Sequence, residues 1–395
     1  MKQASRLLST YTADVSGVCS ALYELGGLTI MHDASGCNST YNTHDEPRWY
    51  DQPSMVYISA LTEIDAVMGA DDKLIGDIVA AAQDLHPRFI AVAGTPIPMM
   101  MGTDFIGVAA AIERQTGLPT LGLATNGMHS YSEGISMALI ALAKRFCAAD
   151  SPPLAVGVGQ KPAVNLLGVT PLDFSVNGSV DALKLAFLQR GYPLVSCWAM
   201  GSSLEQLCQS GQAQVNAVVS AAGLNLARWL QQVYGTPYVI GQPLGSEFAD
   251  VYFRCIDQAA SQKCNICAYA ALGQVKQSGP ATLIIGEAVA ACSLKAAMMG
   301  ESGCGNIQAV TPLDAEDALL GQGDRRIGGE RELKEQIQDQ DVVIADPLYR
   351  RLIPAGRRML FVDWPHEAYS GRIYRDAIPV LIGAGFEQWR KGWSK

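Results

Sequence analysis

A chain of 395 residues, 49% hydrophobic and only 17% charged, has room for two or three globular domains at roughly 150 residues each. Its net charge is −9, and no cluster of Lys and Arg breaks that balance, Arg325-Arg326 and Arg357-Arg358 being only pairs, which argues against a nucleic-acid partner. Met1 to Asp14 holds no signal-peptide core and no run of about 18 uncharged apolar residues occurs, so a soluble, cytoplasmic protein with reduced cysteines is expected.

The elements alternate from the start. The apolar run Leu28 to Met31 predicts a buried strand. Cys19 is expected to open the helix before it, and Cys37 the turn just after it, with Gly36 allowing close backbone approach. A turn at the C-terminal end of a parallel strand is where α/β proteins bind ligands, and thiolates there suit soft metals and iron–sulfur clusters. Ordinary buried cysteines account for the spacing equally well. Then come a polar segment, His44 to Gln52, a strand at Met55 to Ser59, and a helix opened by Asp71-Asp72. Arg88 to Val92 reads as a strand ending in a Gly94-Thr95-Pro96 loop. A helix at Phe105 to Gln115, a strand at Thr120 to Leu123 and a helix at Ser132 to Phe146 complete the first unit.

A Pro/Gly-rich stretch from Ala149 to Lys161 marks a boundary. Strands follow at Val164 to Leu167, Leu194 to Trp198, Ala217 to Ser220 and Tyr238 to Ile240. Helices are expected at Val180 to Arg190, Leu204 to Gln209, Leu224 to Tyr234 and, as one long stretch, Glu247 to Gln277. Ser278-Gly279-Pro280 is the second boundary. The last unit has strands at Thr282 to Ile285, Ile307 to Val310, Val342 to Ala345 and Met359 to Val362. Its helices are expected at Ala288 to Met299, Arg331 to Gln338 and Arg372 to Ile382. The predicted architecture is α/β, three Rossmann-like units with mainly parallel sheets, spanning 1–155, 156–278 and 279–395.

Several side chains invite a functional reading. His44 and Arg48 lie just after Cys37; His129 and His366 follow strand ends; Arg372, near His366, offers a fork of donors for a carboxylate. Surface display explains each as well. Cys264-x-x-Cys267, with Cys255 upstream, and Cys304 in a glycine-rich turn are either a second metal site or structural thiols. No phosphate-binding loop is present: Gly157 to Lys161 lacks the required pattern.

The order of these segments resembles component 1 of nitrogenase and its relatives. G-V-C-S-A and H-D-A-S-G-C look like that family's first two cluster-cysteine segments. Thr62 to Gly69, followed by Lys73-Leu74, looks like its T-E-x-D-x-V-x-G segment, and Gly94 to Asp104 like its T-C-P loop. V-N-L-L-G at Val164 to Gly168 and Y-G-T-P-Y fit as well. The family's third cluster cysteine falls on Thr95 here, its cofactor cysteine near Val219 or Ser220, and its cofactor histidine only loosely on His366. The resemblance therefore implies a short member, similar to the tetrapyrrole-reducing relatives, that does not reduce dinitrogen. It implies a catalytic component with a 4Fe-4S cluster, a small-molecule substrate and an iron-protein-like ATP-dependent reductase as partner. The alternative is a non-enzymatic scaffold for cluster or cofactor assembly. Cys19 and Cys37 supply only half of a four-ligand set, so a homodimer with one cluster shared between two subunits is expected. A heterodimer with a paralogous chain is the rival.

Overall fold

The computed structural model describes residues 5–38, 41, 45–69, 71–147, 157, 159–272, 278–303 and 305–394. Three sheets form, with every strand pair parallel. The first holds β1 (Leu28–Met31), β2 (Met55–Ile58), β3 (Ile90–Ala93) and β4 (Thr120–Leu123) in the order β2-β1-β3-β4. The second holds β5 (Val164–Leu167), β6 (Leu194–Cys197), β7 (Val215–Val218), β8 (Tyr238–Ile240) and β9 (Ile266–Cys267), ordered β6-β5-β7-β8-β9. The third holds β10 (Thr282–Ile285), β11 (Ile307–Thr311), β12 (Arg325–Arg326), β13 (Val342–Ala345) and β14 (Leu360–Asp363), ordered β12-β11-β10-β13-β14. Strands covered by helices on both faces read as largely apolar runs, and β1, β3, β5, β7 and β10 are buried along their whole length, with Asn165 and Asn216 hydrogen-bonded to each other. The fold class is therefore α/β, as the alternation predicts.

The first sheet is covered by α1 (Asp14–Leu22), α2 (Glu63–Met68), α3 (Asp71–Leu85), α4 (Pro96–Met101), α5 (Phe105–Thr116) and α6 (Tyr131–Phe146). The second carries α7 (Pro171–Phe174), α8 (Ser179–Gln189), α9 (Leu204–Cys208), α10 (Leu224–Tyr234) and α11 (Glu247–Gln262). The third carries α12 (Ala288–Ser302), α13 (Glu330–Ile337) and α14 (Glu367–Tyr374), and α15 (Ala384–Lys391) closes the chain. Local chemistry sets several ends. Asp104 caps α5 by accepting from the backbone N–H of Ile106 and Gly107 at 3.1 and 3.0 Å, and Gly117, at φ 69°, terminates it.

Four expectations need correction. Cys19 lies in the second half of α1 instead of opening it. The loop after β3 contains a helix, α4, with a proline at its start. The long stretch from Glu247 stops at Gln262, where Lys263 turns left-handed at φ 52°, so Cys264 and Cys267 are not on a helix. The helix expected at Arg372 to Ile382 instead runs Glu367–Tyr374; Pro379 removes a donor from any continuation.

Both ends of the chain cross between units. The backbone N–H groups of Arg6, Leu7 and Leu8 donate to Glu330 Oε2 at 2.8, 2.8 and 3.1 Å. Ile382 bridges Leu244, and Phe386 is fully buried in the core common to the second and third sheets. Among the described residues no helix is long and apolar enough to cross a membrane.

Candidate functional site

The strand order of the first sheet reverses between β1 and β3, which opens a crevice at their C-terminal ends. The residues that follow these two strands meet there. The His32 N–H donates to the Ala93 carbonyl at 2.9 Å, and the Thr95 hydroxyl donates to the His32 carbonyl at 3.0 Å. His32 is buried against Ser59, Nδ1 to Oγ 2.8 Å, which fixes the start of the loop carrying Gly36 and the exposed Cys37. Cys19 is 0% exposed in α1. Burial first, then the nearby carboxylates of Glu46 and Asp45, drive its thiol far above the ordinary range. Cys19 is thus hidden within α1, while Cys37 is exposed on the loop after β1.

That edge is also apolar and exposed. None of the residues of α2 is buried, and Ile64, Val67 and Met68 stand in solvent, as do Met100 of α4, Ile106 of α5 and Met128 after β4. As a donor set for an iron–sulfur cluster, one chain supplies two soft sulfurs. Thr95 is buried with its hydroxyl committed to a carbonyl, and no group of three or more His, Cys, Asp or Glu among the described residues is placed to hold a metal ion. The residues fit half of a four-ligand cluster and no more.

A second constellation lies where the three sheets meet. Tyr131 starts α6 after β4, Asp173 lies on α7 after β5, Glu287 caps α12 after β10, and His366 precedes α14 after β14. Tyr131 OH donates to Asp173 Oδ1. His366 Nε2 lies 3.3 Å from Asp173 Oδ1 and 3.4 Å from Tyr131 OH. Asp346, after β13, accepts from the His366 N–H at 2.9 Å; burial raises its pKa. Beside this cluster is a cavity of about 310 Å³ lined by His129, Ser132, Ala221, Asn225, Asp314 and Arg326, among others. Its walls come from all three units. Asp14 ties it to the thiol edge: Asp14 accepts from Asn126 N and Gly127 N at 3.1 and 2.8 Å, and Cys19 is five residues along the same helix, about 7.5 Å of axial rise.

Comparison with known proteins decides the family. The sequence pattern described as Nitrogenase component 1 type Oxidoreductase matches residues 18–275. The chain belongs to that family. It is 27% identical over 194 residues to the nitrogenase iron-molybdenum cofactor biosynthesis protein NifE of Methanosarcina barkeri, covering 47% of this chain and 41% of that protein. It is 26% identical over 182 residues to a component polypeptide of the light-independent protochlorophyllide reductase of Nostoc punctiforme, covering 45% of this chain and 36% of that protein. The matches thus span less than half of these relatives' lengths. A structure of nitrogenase Cp1 at pH 6.5 covers 100% of this chain and 94% of that one, with a TM-score of 0.69 and 16% identity, and so shares the fold.

Within this family fold the other expected residues fall as follows. Arg48 turns inward, away from any substrate surface: it is 5% exposed and donates to Glu46, Glu24 and the Ser20 carbonyl at 2.7, 2.8 and 2.9 Å. Two carboxylates on either side of α1 outcompete solvent for its guanidinium. His129 lines the junction cavity, half exposed, with Nδ1 3.9 Å from Asp314 Oδ2. His366 is in the buried cluster behind it, and Arg372 is exposed on α14. Cys255 is buried in α11 and Cys264 and Cys267 are half-buried. His44 and Cys304 lie outside the described residues. Sequence reading missed Tyr131, Asp173 and Glu287. Their one available signal was position, each within eight residues of the C-terminal end of a predicted strand.

Proposed function

We propose that this chain is the catalytic component of a two-component reductase of the nitrogenase component 1 type, acting on a small molecule other than dinitrogen. Unit 1–155 carries the electron entry point, and units 156–278 and 279–395 enclose the substrate with it at the junction. Cys19 and Cys37 of two copies hold one 4Fe-4S cluster on a two-fold axis, where each copy presents the same patch. When bound, the cluster supplies a one-electron carrier. The observation that carries the reading is an exposed thiol and a hidden one at a sheet edge whose surrounding loops expose large apolar side chains.

The chain's own residues do the rest. Thr95 and His32 fix the Cys37 loop. α1 joins the thiol to the junction through Asp14. His129, Asn225 and Arg326 offer the cavity polar contacts for orienting a substrate. The electron donor in this reading is an iron-protein-like ATPase, which fits the lack of a phosphate-binding loop in this chain. The test is anaerobic protein with such a reductase, with and without ATP: ATP-dependent reduction of the protein is expected, and full-rate reduction by a simple ferredoxin without ATP would sink it. The 27% identity to NifE favours a second reading, a scaffold on which a cluster or cofactor is built. Release of a metal cluster to an acceptor protein, with no catalytic turnover, is what that reading expects.

A further inference from the structure

Two buried polar atoms at the three-unit junction have no hydrogen-bond partner among the described residues: Asp173 Oδ2 and His366 Nδ1. Asp173 is thus a buried carboxylate with one oxygen accepting from Tyr131 and the other unsupported, a costly arrangement for an ion. The charge of a second acid acts on the same tyrosine. Glu287 is 1% exposed, its Oε1 accepts from the Ala221 N–H at 2.9 Å and its Oε2 from the Ala290 N–H at 2.8 Å. Burial, then the charge of Asp173, push its pKa up to about 7. Ala221, which holds Glu287, also lines the junction cavity, as do His129 and Ser132 near Tyr131.

We propose that Glu287 retains a proton at neutral pH beside the half-satisfied Asp173 carboxylate and that Tyr131 and His366, which contact Asp173, form its way out, making the junction a proton-donating site for reduction in the adjoining cavity. Two like-charged acids in one dry site do not both ionise. The groups that face them are Tyr131 from α6, His366 before α14, Tyr269 after β9 and Tyr11 from the N-terminal arm; Asp346 stands behind His366. Tyr131 has its pKa driven well above the ordinary 10.0 by burial and by the Asp173 and Glu287 charges, so it relays a proton and does not itself ionise.

The purpose assigned to this proton rests on the reductase reading above. Each electron delivered by a one-electron donor of the iron-protein class leaves negative charge on an unsaturated substrate. The acid O–H bond breaks, a C–H, N–H or S–H bond forms on the substrate, and the carboxylate left behind regains a proton from solvent. Two rounds convert A=B to HA–BH.

The proton itself is observable without substrate, so the two ideas can fail separately. In pH-difference infrared spectra of the whole protein, the wild type should show a protonated-carboxyl C=O band titrating near neutral pH. Glu287→Gln should lose it, and Asp173→Asn should move its titration down by about one pH unit. In D₂O the band should exchange quickly, and more slowly by at least about tenfold in Tyr131→Phe, since the relay hydroxyl is gone. A wild-type spectrum with no such band near neutral pH overturns the proposal even if every variant misfolds. A band that survives Glu287→Gln, or keeps its titration in Asp173→Asn, overturns the pairing; unchanged exchange in Tyr131→Phe overturns the route.

Discussion

Arg48 carries the heaviest electrostatic role of any single side chain near the thiol edge. Its guanidinium donates to Glu46, Glu24 and the Ser20 carbonyl, fastening the second half of α1 to the segment around Glu46. Arg48→Ala leaves Glu46 buried without its counterion and should cost about 3–5 kcal/mol in chemical denaturation; a loss within about 0.5 kcal/mol would show the pair to be ornamental. Glu287 offers a pH test. Its folded pKa is raised from 4.5 to about 7, so the folded state binds the proton more readily than the unfolded chain. Its contribution is fully present below pH 4.5 and is lost as pH rises to 7, amounting to about 3 kcal/mol. Denaturation midpoints measured across that window should therefore fall less steeply with pH in Glu287→Gln than in the wild type. Glycine and strand context pointed to Cys19 and Cys37, whereas Thr95 was marked only by the family resemblance. Arg48 was misjudged because Glu24 and the Ser20 carbonyl become its neighbours only on folding, and nothing local marks the adjacent Glu46 as buried. Asp173 and Glu287 escaped notice because carboxylates after strand ends are common and nothing local marks burial.

At the level of elements, the α1–α6 crossing places the thiol relative to the junction. A Cβ on Gly17 would meet the Tyr131 carbonyl oxygen at 2.1 Å, and one on Gly134 the Asp14 carbonyl oxygen at 1.9 Å. The helices touch backbone to backbone, so Gly134→Ala should destabilise by at least about 1–3 kcal/mol and disturb the Tyr131–Asp173 hydrogen bond. Gly76, exposed in α3 with open space around its Cβ position, is the control: Gly76→Ala should stabilise by about 0.4–1 kcal/mol. Equal effects at the two sites would refute the close-contact account. Most strands were legible because burial on both faces favours apolar runs, but the two-residue edge strands β9 and β12, half-buried and exposed, were not. The stretch beyond Gln262 was not: its Ala- and Gln-rich composition favours helix, and the stop is made by a lysine in a left-handed conformation instead of a glycine.

For the whole molecule, alternation of strand and helix made three parallel sheets readable. The crossing of both chain ends between units was not readable, since it rests on contacts distant in sequence, Arg6 to Glu330 and Leu244 to Ile382. The apolar surface around Cys37 belongs to this scale too. Val67 and Met100 are 84% and 82% exposed, and monomeric proteins seldom leave such patches uncovered. Val67→Asp should lower the dimer fraction in analytical ultracentrifugation while circular dichroism stays unchanged. The measurement that bears most directly on the account is iron content and native mass of the anaerobic protein expressed alone. The account predicts about four irons per two chains, consistent with one cube, lost along with brown colour in Cys19→Ala or Cys37→Ala. Four irons in a monomer, or full iron retention in both variants, would contradict it.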